Sequence, residues 1–466
     1  MIFSSSVFLL AFLTVTLLAY FLVPARHITV RNAVLLVASL FFYGWGEPKY
    51  ILVMVFSILF NYFLALAIEK RRSGGLLAVT VAGNLLILGF FKYTDFLIST
   101  INGIFGGSLN LLHIALPIGI SFYTFQTMSY VIDVYRGKVK AQRDLLAFAT
   151  YVTLFPQLIA GPIVRYSDVA VQLKDRRSNT VQIAEGVQRF AVGFAKKVLL
   201  ANQVYIIWKE ISAMDAPSAS AAWLGAIAFT FQIYFDFSGY SDMAIGLGKI
   251  FGFDYLENFN YPYISKSITE FWRRWHMSLS SWFKEYVYVP LGGNRKGLPR
   301  QLLNIAIVWA LTGLWHGASW NFVAWGVYFG VILIIEKLFL LRILEKAPAF
   351  FSHLYALVLI VCGWVIFAIE DLGQVGTYFS MMFGASGQLT DDAFWYYLTS
   401  RIWLLAACII GSTRLPAKIS ALVRDKLSGR EILLGAVESA GFLVLMVFSI
   451  AFLVSGSYNP FLYFRF

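Results

Sequence analysis

One histidine in this sequence stands between two long apolar runs. His316 lies in the stretch Leu311–Trp320, with Gly313 and Gly317 on either side. An ionisable side chain at membrane depth is costly unless it faces a cavity or a partner, so it is a functional-site candidate. A neutral imidazole can take a proton from a hydroxyl group during nucleophilic attack. A buried histidine bonded to a neighbouring carbonyl is the alternative, and the residues leave both interpretations open.

A second histidine, His276, lies in the aromatic and basic segment Tyr261–Arg300. Apolar residues recur there at three- and four-residue spacing, which predicts one stripe along a helix: Ile268, Phe271, Trp272, Trp275, Leu279, Trp282, Phe283 and Tyr286. Arg273 and Arg274 fall largely outside this stripe and are candidates for contact with a substrate. The pattern predicts an amphipathic helix in the membrane interface or re-entrant into a cavity. An anchor helix without chemistry would show the same pattern.

Two carboxylates, Asp236 and Asp242, lie near the end of another apolar run. Such groups could orient an imidazole or line a polar tunnel. They could equally belong to the start of a helix capped by Ser238 or Ser241, with Asp242 in its first turn. We favour capping for Asp242 and keep Asp236 as a candidate tunnel residue.

Residues beside His316 complete the candidate site. Asn321, His276 and backbone amides near Gly317 could stabilise an oxyanion, and Trp315 could line a tunnel. The sequence contains no Gly-x-x-x-x-Gly-Lys-Ser/Thr phosphate loop, no His-Glu-x-x-His metal helix and no Gly-x-Ser-x-Gly nucleophile motif. These absences leave histidine-centred acyl transfer inside the membrane open, and no motif calls for a metal or a tightly bound cofactor.

The composition shows which elements must position these residues. Hydrophobic residues make up 59% of the 466 residues and charged residues only 13%, far outside the range of soluble proteins. Apolar runs long enough to cross a bilayer recur from Ser6–Val23 to Ile432–Val454. We predict an all-α polytopic membrane protein with about 11–13 transmembrane or re-entrant helices. Residues 1–466 are expected to form one membrane domain, with 261–300 as an interfacial or re-entrant segment within it.

The positive charges indicate topology. The net charge of +12 comes from lysines and arginines in short loops between apolar runs, a pattern typical of contact with anionic lipid and not of nucleic acid binding. Basic clusters at Lys70–Arg72 and Arg136–Arg143 are expected in the cytoplasm, which places the N terminus outside. A further basic loop at Arg414–Arg430 would leave the C terminus outside as well.

Several ordered motifs resemble one family. The sequence is similar to bacterial membrane-bound O-acyltransferases that acetylate polysaccharides, and the resemblance extends across most of the chain. It is carried by Ile268–Ser280, Leu291–Arg295 and Leu314–Gly317, with further matches at Leu116–Tyr123, Gly161–Pro162, Tyr234–Asp242 and Pro460–Phe464.

The resemblance implies a ring of membrane helices around a thin core, where funnels from both sides form a central tunnel. The invariant histidine of the family corresponds to His316, and the second, more interfacial one to His276. The implied donor is acetyl-CoA, approaching from the cytoplasm. In polysaccharide systems of the bacterial inner membrane, the acetyl group passes to a periplasmic partner with a serine-esterase-like domain. The final acceptor is a polysaccharide such as alginate.

Other activities stay open. Peptidoglycan O-acetylation would use a similar protein, and D-alanyl transfer to teichoic acid would use the same histidine. The Trp272–His276 motif disfavours lipid or protein acyltransferases of the eukaryotic branch. A transporter or channel gated by a histidine would move its substrate without breaking a thioester.

Overall fold

All regular elements in the described part of the chain are helical. The computed structural model describes residues 1–159 and 161–456. The α-helices are Leu13–Leu22, Ile28–Gly44, Ile51–Arg71, Gly74–Phe105, Ile120–Tyr135, Leu145–Thr153, Phe155–Leu158, Tyr166–Val169, Thr180–Ala195, Asn202–Ser212, Ala219–Phe251, Ile268–Arg274, Met277–Phe283, Leu298–His316, Trp320–Ile335, Leu341–Lys346, Ala349–Ala368, Leu372–Met382, Asp392–Ser400, Ile402–Gly411, Leu415–Lys426 and Glu431–Ser455. Shorter π or 3₁₀ turns are Val7–Phe12, Pro48–Tyr50, Lys196–Ala201, Pro262–Ile264, Lys284–Tyr288 and Glu336–Leu340. The all-α prediction is confirmed.

Several helices are long and apolar enough to cross a bilayer. Among the described residues five meet this condition: Pro48–Arg71, Gly74–Phe105, Thr180–Ser212, Ala349–Ala368 and Glu431–Ser455. A sixth span results if Asp392–Ser400 and Ile402–Gly411, which meet at a bend of 64°, are counted together. Other apolar runs lie in helices outside this set, such as Ile28–Gly44, so the expected number of 11–13 depends on how many of these helices cross or re-enter the membrane.

The chain divides into two compact units. The first contains residues 1–190 and 240–256, and the second contains residues 191–239 with the described residues from 257 onward. The first unit has a core of packed aromatic rings, in which Phe3 lies 4.8 Å from Phe8 and 4.4 Å from Tyr240 between ring centroids. That residues 1–466 form a single membrane domain stays a prediction.

Two helices of the second unit, Leu298–His316 and Trp320–Ile335, pack at very short range. A Cβ atom added to Gly326 would lie 2.6 Å from the carbonyl oxygen of Trp309, and one added to Gly313 would lie 2.5 Å from that of Phe322. Only glycine permits this approach, as at other interfaces between membrane helices. The contact fixes the end of the first helix, where His316 is the last residue.

The segment around His276 is broken, and the prediction of one continuous amphipathic helix was wrong. Helix Ile268–Arg274 ends just before Trp275, and helix Met277–Phe283 begins just after His276. His276 has a φ of 44°, in the left-handed region that residues other than glycine rarely adopt. The apolar stripe is largely buried inside the second unit. A stripe that packs against protein has the same period as one that packs against lipid, so the sequence pattern could not tell the two apart.

A buried carboxylate holds the start of the first of these short helices. Glu336 is 1% exposed and belongs to the π-helical turn that follows Trp320–Ile335. Its Oε1 accepts from the backbone N–H of Ile268 at 2.7 Å, and its Oε2 accepts from the N–H of Thr269 at 2.8 Å and from the Thr269 hydroxyl at 2.6 Å. A carboxylate at this place satisfies free N–H groups of the helix and complements its dipole.

The prediction of a helix start near Asp242 was also wrong. Residues Ala219–Phe251 form one uninterrupted helix that runs through Ser238 and Ser241. The glycines of this helix and its serines Ser238 and Ser241 are buried, so packing overrides their low helix propensity. The motif Pro460–Phe464 lies outside the described residues.

Candidate active site

Both candidate histidines border one cavity in the second unit. Its volume is about 340 Å³, and His276, His316 and Arg273 are among the side chains that line it. Its walls are largely aromatic, with Trp272, Trp275, Trp309 and Phe283. Residues 269–288 supply one side and residues 305–316 much of the other. The structure therefore places at one cavity two histidines that are forty positions apart in the sequence.

His316 is enclosed by aromatic rings. Its ring centroid lies 5.1 Å from that of Trp315, 4.9 Å from that of Trp325 and 5.4 Å from that of Phe367, all with steep interplanar angles. The residue is 8% exposed. Such walls restrict the orientation of the imidazole.

His276 is fixed by hydrogen bonds on one side of its ring. Its Nδ1 lies 3.0 Å from Oδ1 of Asn258, which also accepts from the N–H of Ser278 at 3.3 Å and from the Ser278 hydroxyl at 2.9 Å. Burial lowers the pKa of His276 to about 3, so this imidazole is neutral at physiological pH. The edge of the ring meets Phe237 at 4.7 Å between centroids.

Two cationic side chains mark the opening of the cavity. Arg273 and Lys284 line it and are exposed, so the cavity opens beside them. Arg274 does not line it, because its Nη2 forms an ion pair with Glu270 at 2.8 Å and its Nη1 donates to the carbonyl of Asn260. Of the two arginines singled out in the sequence, Arg273 is thus the one available to an anionic ligand.

Three other predicted site residues are close to His316 in the sequence and do not line the cavity. The ring centroid of Trp315 lies 6.1 Å from that of His276 and 5.1 Å from that of His316. Gly317 faces the ring of Phe322, which a Cβ atom there would strike. Asn321 is fully buried and donates to the carbonyl oxygens at positions 366 and 367, which ties its helix to Ala349–Ala368. Their assignment to the tunnel stays a prediction.

The two carboxylates of the long helix form ion pairs. Oδ1 of Asp236 lies 2.5 Å from Nζ of Lys197, and both side chains are almost fully buried in the second unit. In the first unit, Oδ1 of Asp242 lies 2.6 Å from Nη2 of Arg189. Asp236 does not line the cavity of the histidines.

Sequence reasoning missed Asn258 and Glu336. The only local signal for Glu336 was a carboxylate at the end of a very apolar run, which is costly unless it is partnered. Asn258 lies in an irregular stretch with no periodic pattern. Within residues 1–159 and 161–456, no three His, Cys, Asp or Glu side chains come together as a metal-ligand set.

Comparison with known proteins identifies the family of this chain. Residues 140–372 match the membrane-bound O-acyltransferase family. A probable alginate O-acetylase of Azotobacter vinelandii is 44% identical over 86% of this chain and 81% of its own, and one of Pseudomonas putida is 40% identical over the whole of both. A peptidoglycan O-acetyltransferase of Helicobacter pylori is 35% identical over 83% of this chain and 80% of its own. The chain belongs to the membrane-bound O-acyltransferase family, and it is an O-acyltransferase enzyme with the all-α polytopic membrane fold of that family.

Proposed function

We propose that this protein is an O-acetyltransferase of the bacterial cytoplasmic membrane. It takes an acetyl group from acetyl-CoA on the cytoplasmic side and passes it outward for O-acetylation of a polysaccharide, with alginate as the first candidate. The observation that carries this proposal is the cavity that holds His276 and His316 and opens beside two cations. The alginate O-acetylases among the relatives support the choice of polymer.

His316 acts as the general base in this proposal. Its imidazole takes the proton of the attacking hydroxyl while the oxygen bonds to the thioester carbonyl carbon, and the carbon–sulfur bond then breaks to release the thiol, which receives that proton. General-base assistance of this kind accounts for about 10²–10⁴-fold in rate. The first hydroxyl to be acetylated is the serine of a periplasmic esterase-like partner, which then acetylates the polymer.

The cations at the opening fit the phosphates of a coenzyme A donor. Arg273 and Lys284 offer guanidinium and ammonium donors, which bind phosphate oxygens through charge-assisted hydrogen bonds. The cavity volume of about 340 Å³ suits a thioester arm and excludes a polymer chain. The phosphates stay outside because they are too strongly hydrated to enter an apolar cavity, so only the acetyl group passes across the membrane.

Acetyl transfer can be measured with the purified protein in lipid nanodiscs. Labelled acetyl-CoA is added with the periplasmic partner and with alginate or peptidoglycan fragments, and both thiol release and label on the polymer are followed. Transfer to alginate supports the proposal. Transfer to peptidoglycan would change the assigned acceptor polymer and would leave the proposed mechanism unchanged. Absence of thiol release in every combination, with labelled substrate accumulating intact inside sealed lipid vesicles that carry the protein, would identify a transporter instead.

The phosphate contact has its own test. Replacing Arg273 and Lys284 together by glutamine should raise KM for acetyl-CoA about tenfold and leave KM for acetyl-pantetheine unchanged, because the shorter donor lacks the nucleotide phosphates. The matched control is Arg342→Gln, which removes an exposed arginine of the same unit that does not line the cavity. Equal effects on both donors would disprove the contact.

A further inference from the structure

The orientation of the Asn258 amide follows from one backbone contact. The N–H of Ser278 can only donate, and it points to Oδ1 of Asn258 at 3.3 Å. The amide oxygen therefore faces Ser278 and His276, because the flipped amide would set two donors against each other. The Ser278 hydroxyl, at 2.9 Å from the same oxygen, fits this assignment.

The orientation of Asn258 decides which nitrogen of His276 carries the proton. An amide oxygen cannot donate, so Nδ1 of His276, 3.0 Å away, must be the protonated nitrogen. Nε2 then holds a lone pair. This atom is buried and has no hydrogen-bond partner among the described residues, and the ring borders the cavity. A buried acceptor without a partner is costly, which points to a ligand group that supplies the hydrogen bond.

We propose that Asn258 is a positioning residue that locks His276 as the Nδ1–H tautomer, so that Nε2 accepts a hydrogen bond from an amide N–H of the donor's pantetheine arm. The donor side is favoured because His276 belongs to the same segment as Arg273 and Lys284 at the cavity opening. The left-handed backbone at His276 fits this role, since strain of this kind collects at ligand-binding positions. His276 is thereby excluded as an oxyanion donor. The role of Nε2 rests on the proposed function, whereas the tautomer does not.

Selective ¹⁵N-histidine labelling tests the tautomer without any turnover. The chain has five histidines, and the imidazole signals of His276 are assigned by their loss in His276→Gln. We expect a protonated Nδ1 and an unprotonated Nε2 in the wild type, and a mixture of tautomers in Asn258→Leu. An Nε2–H signal in the wild type would overturn the proposal, whatever the protein's substrate.

Kinetics test the consequence. Asn258→Leu should raise KM for acetyl-CoA about 10- to 100-fold, by analogy with the loss when a group that orients a metal-binding imidazole is removed. The value of kcat should change far less. Asn304→Leu is the matched control, because Asn304 is equally buried and its Nδ2 donates to the carbonyl of Gly293, away from both histidines. A fall in kcat with KM unchanged would show that His276 acts in the chemical step and would overturn the donor-arm contact.

The conservative variant separates this role from a structural one. Asn258→Asp keeps the acceptor oxygen but adds a negative charge, which raises the pKa of His276 and favours its protonated form. We expect KM near the wild-type value at alkaline pH and a rise as pH falls, because a protonated Nε2 cannot accept. The titratable and charged groups that border the same cavity are Arg273, Lys284, Tyr288 and His316. A pH profile of KM identical to that of the wild type would contradict the proposal.

Discussion

At the scale of single residues, the two histidines differ in how they are held. His316 is enclosed by aromatic rings, whereas His276 is held by the hydrogen bonds of Asn258. Aromatic packing restricts the orientation of the His316 ring, and the Asn258 hydrogen bond dedicates one nitrogen of His276 to the protein. This difference agrees with a base at His316 and a substrate-binding acceptor at His276.

Replacing His316 by alanine should lower acetyl transfer by about 10²–10⁴-fold, the share of a general base. The amount of inserted and folded protein should stay close to the wild-type level, because the role proposed for the imidazole is in the reaction and not in packing. Membrane content, thermal unfolding in detergent and thiol release are the measurements. His27→Ala, which removes an exposed histidine, is the control and should keep its activity. Full activity in well-expressed His316→Ala would refute the mechanism.

At the scale of helices, the site depends on elements that are short or broken. Helix Ile268–Arg274 has only seven residues and would not form alone, since helix nucleation is unfavourable. Its N-terminal groups are satisfied by Glu336 and by Ser267, whose hydroxyl accepts from the N–H of Glu270. The close contact between the two glycines holds the opposite side of the cavity.

Glu336→Gln should destabilise this arrangement. The variant replaces one of two accepting oxygens by an NH₂ group that faces donors, which costs about 1–3 kcal/mol for buried polar groups left unpaired. We expect a lower unfolding temperature together with reduced transfer activity. Glu345→Gln, at an exposed glutamate of the same unit, should change neither quantity. An unaltered unfolding temperature in Glu336→Gln would show that the carboxylate does not hold the helix.

Gly326→Ala should separate the two packed helices. Its methyl group would lie 2.6 Å from the carbonyl oxygen of Trp309, and a backbone atom cannot move aside as a flexible side chain can. Overpacking of this kind costs about 1–3 kcal/mol. Gly89→Ala is the control, because a Cβ atom there meets nothing within 4 Å, and its stability should be unchanged or slightly higher. Equal unfolding temperatures for both variants would contradict the close packing.

At the scale of the whole molecule, the question is which side of the membrane each segment faces. In the first unit, Glu69 accepts from the N–H of Ala141 at 2.9 Å, and Tyr62 donates to the carbonyl of Arg143 at 2.6 Å. The basic segments Lys70–Arg72 and Arg136–Arg143 therefore lie at the same end of that unit. This agrees with the expectation from loop charges that they share a side.

Single cysteines test the proposed sidedness in a background of Cys362→Ala and Cys408→Ala. Asn110→Cys should react with an impermeant thiol reagent in intact cells, because helix Gly74–Phe105 separates it from the basic segments. Lys140→Cys and Lys296→Cys should react only after permeabilisation, since donor phosphates and anionic lipid both require cytoplasmic cations. Arg465, near the expected external C terminus, lies outside the described residues. Labelling of Lys296→Cys in intact cells would refute the route from a cytoplasmic donor.

The sequence by itself determined the class of the protein and its main candidates. Long apolar runs with few charges indicate a membrane protein directly, because each residue of a helix that crosses the hydrocarbon must be compatible with an apolar environment. His276 and His316 could be identified because an ionisable side chain in apolar surroundings is exceptional. The motifs around them were sufficient to indicate the family, which the comparisons confirm.

Only the tertiary structure decided how these residues are held. The partner of His276 lies 18 positions away, and the carboxylate that caps its helix lies 68 positions from Ile268. Contacts at such separations leave no period in the sequence, because they depend on where separate helices end in space. The apolar stripe of Ile268–Tyr286 is compatible with one long helix or two short ones. Glu336 and Asn258 select the broken form by bonding the N–H groups of Ile268, Thr269 and Ser278 near its two helix starts.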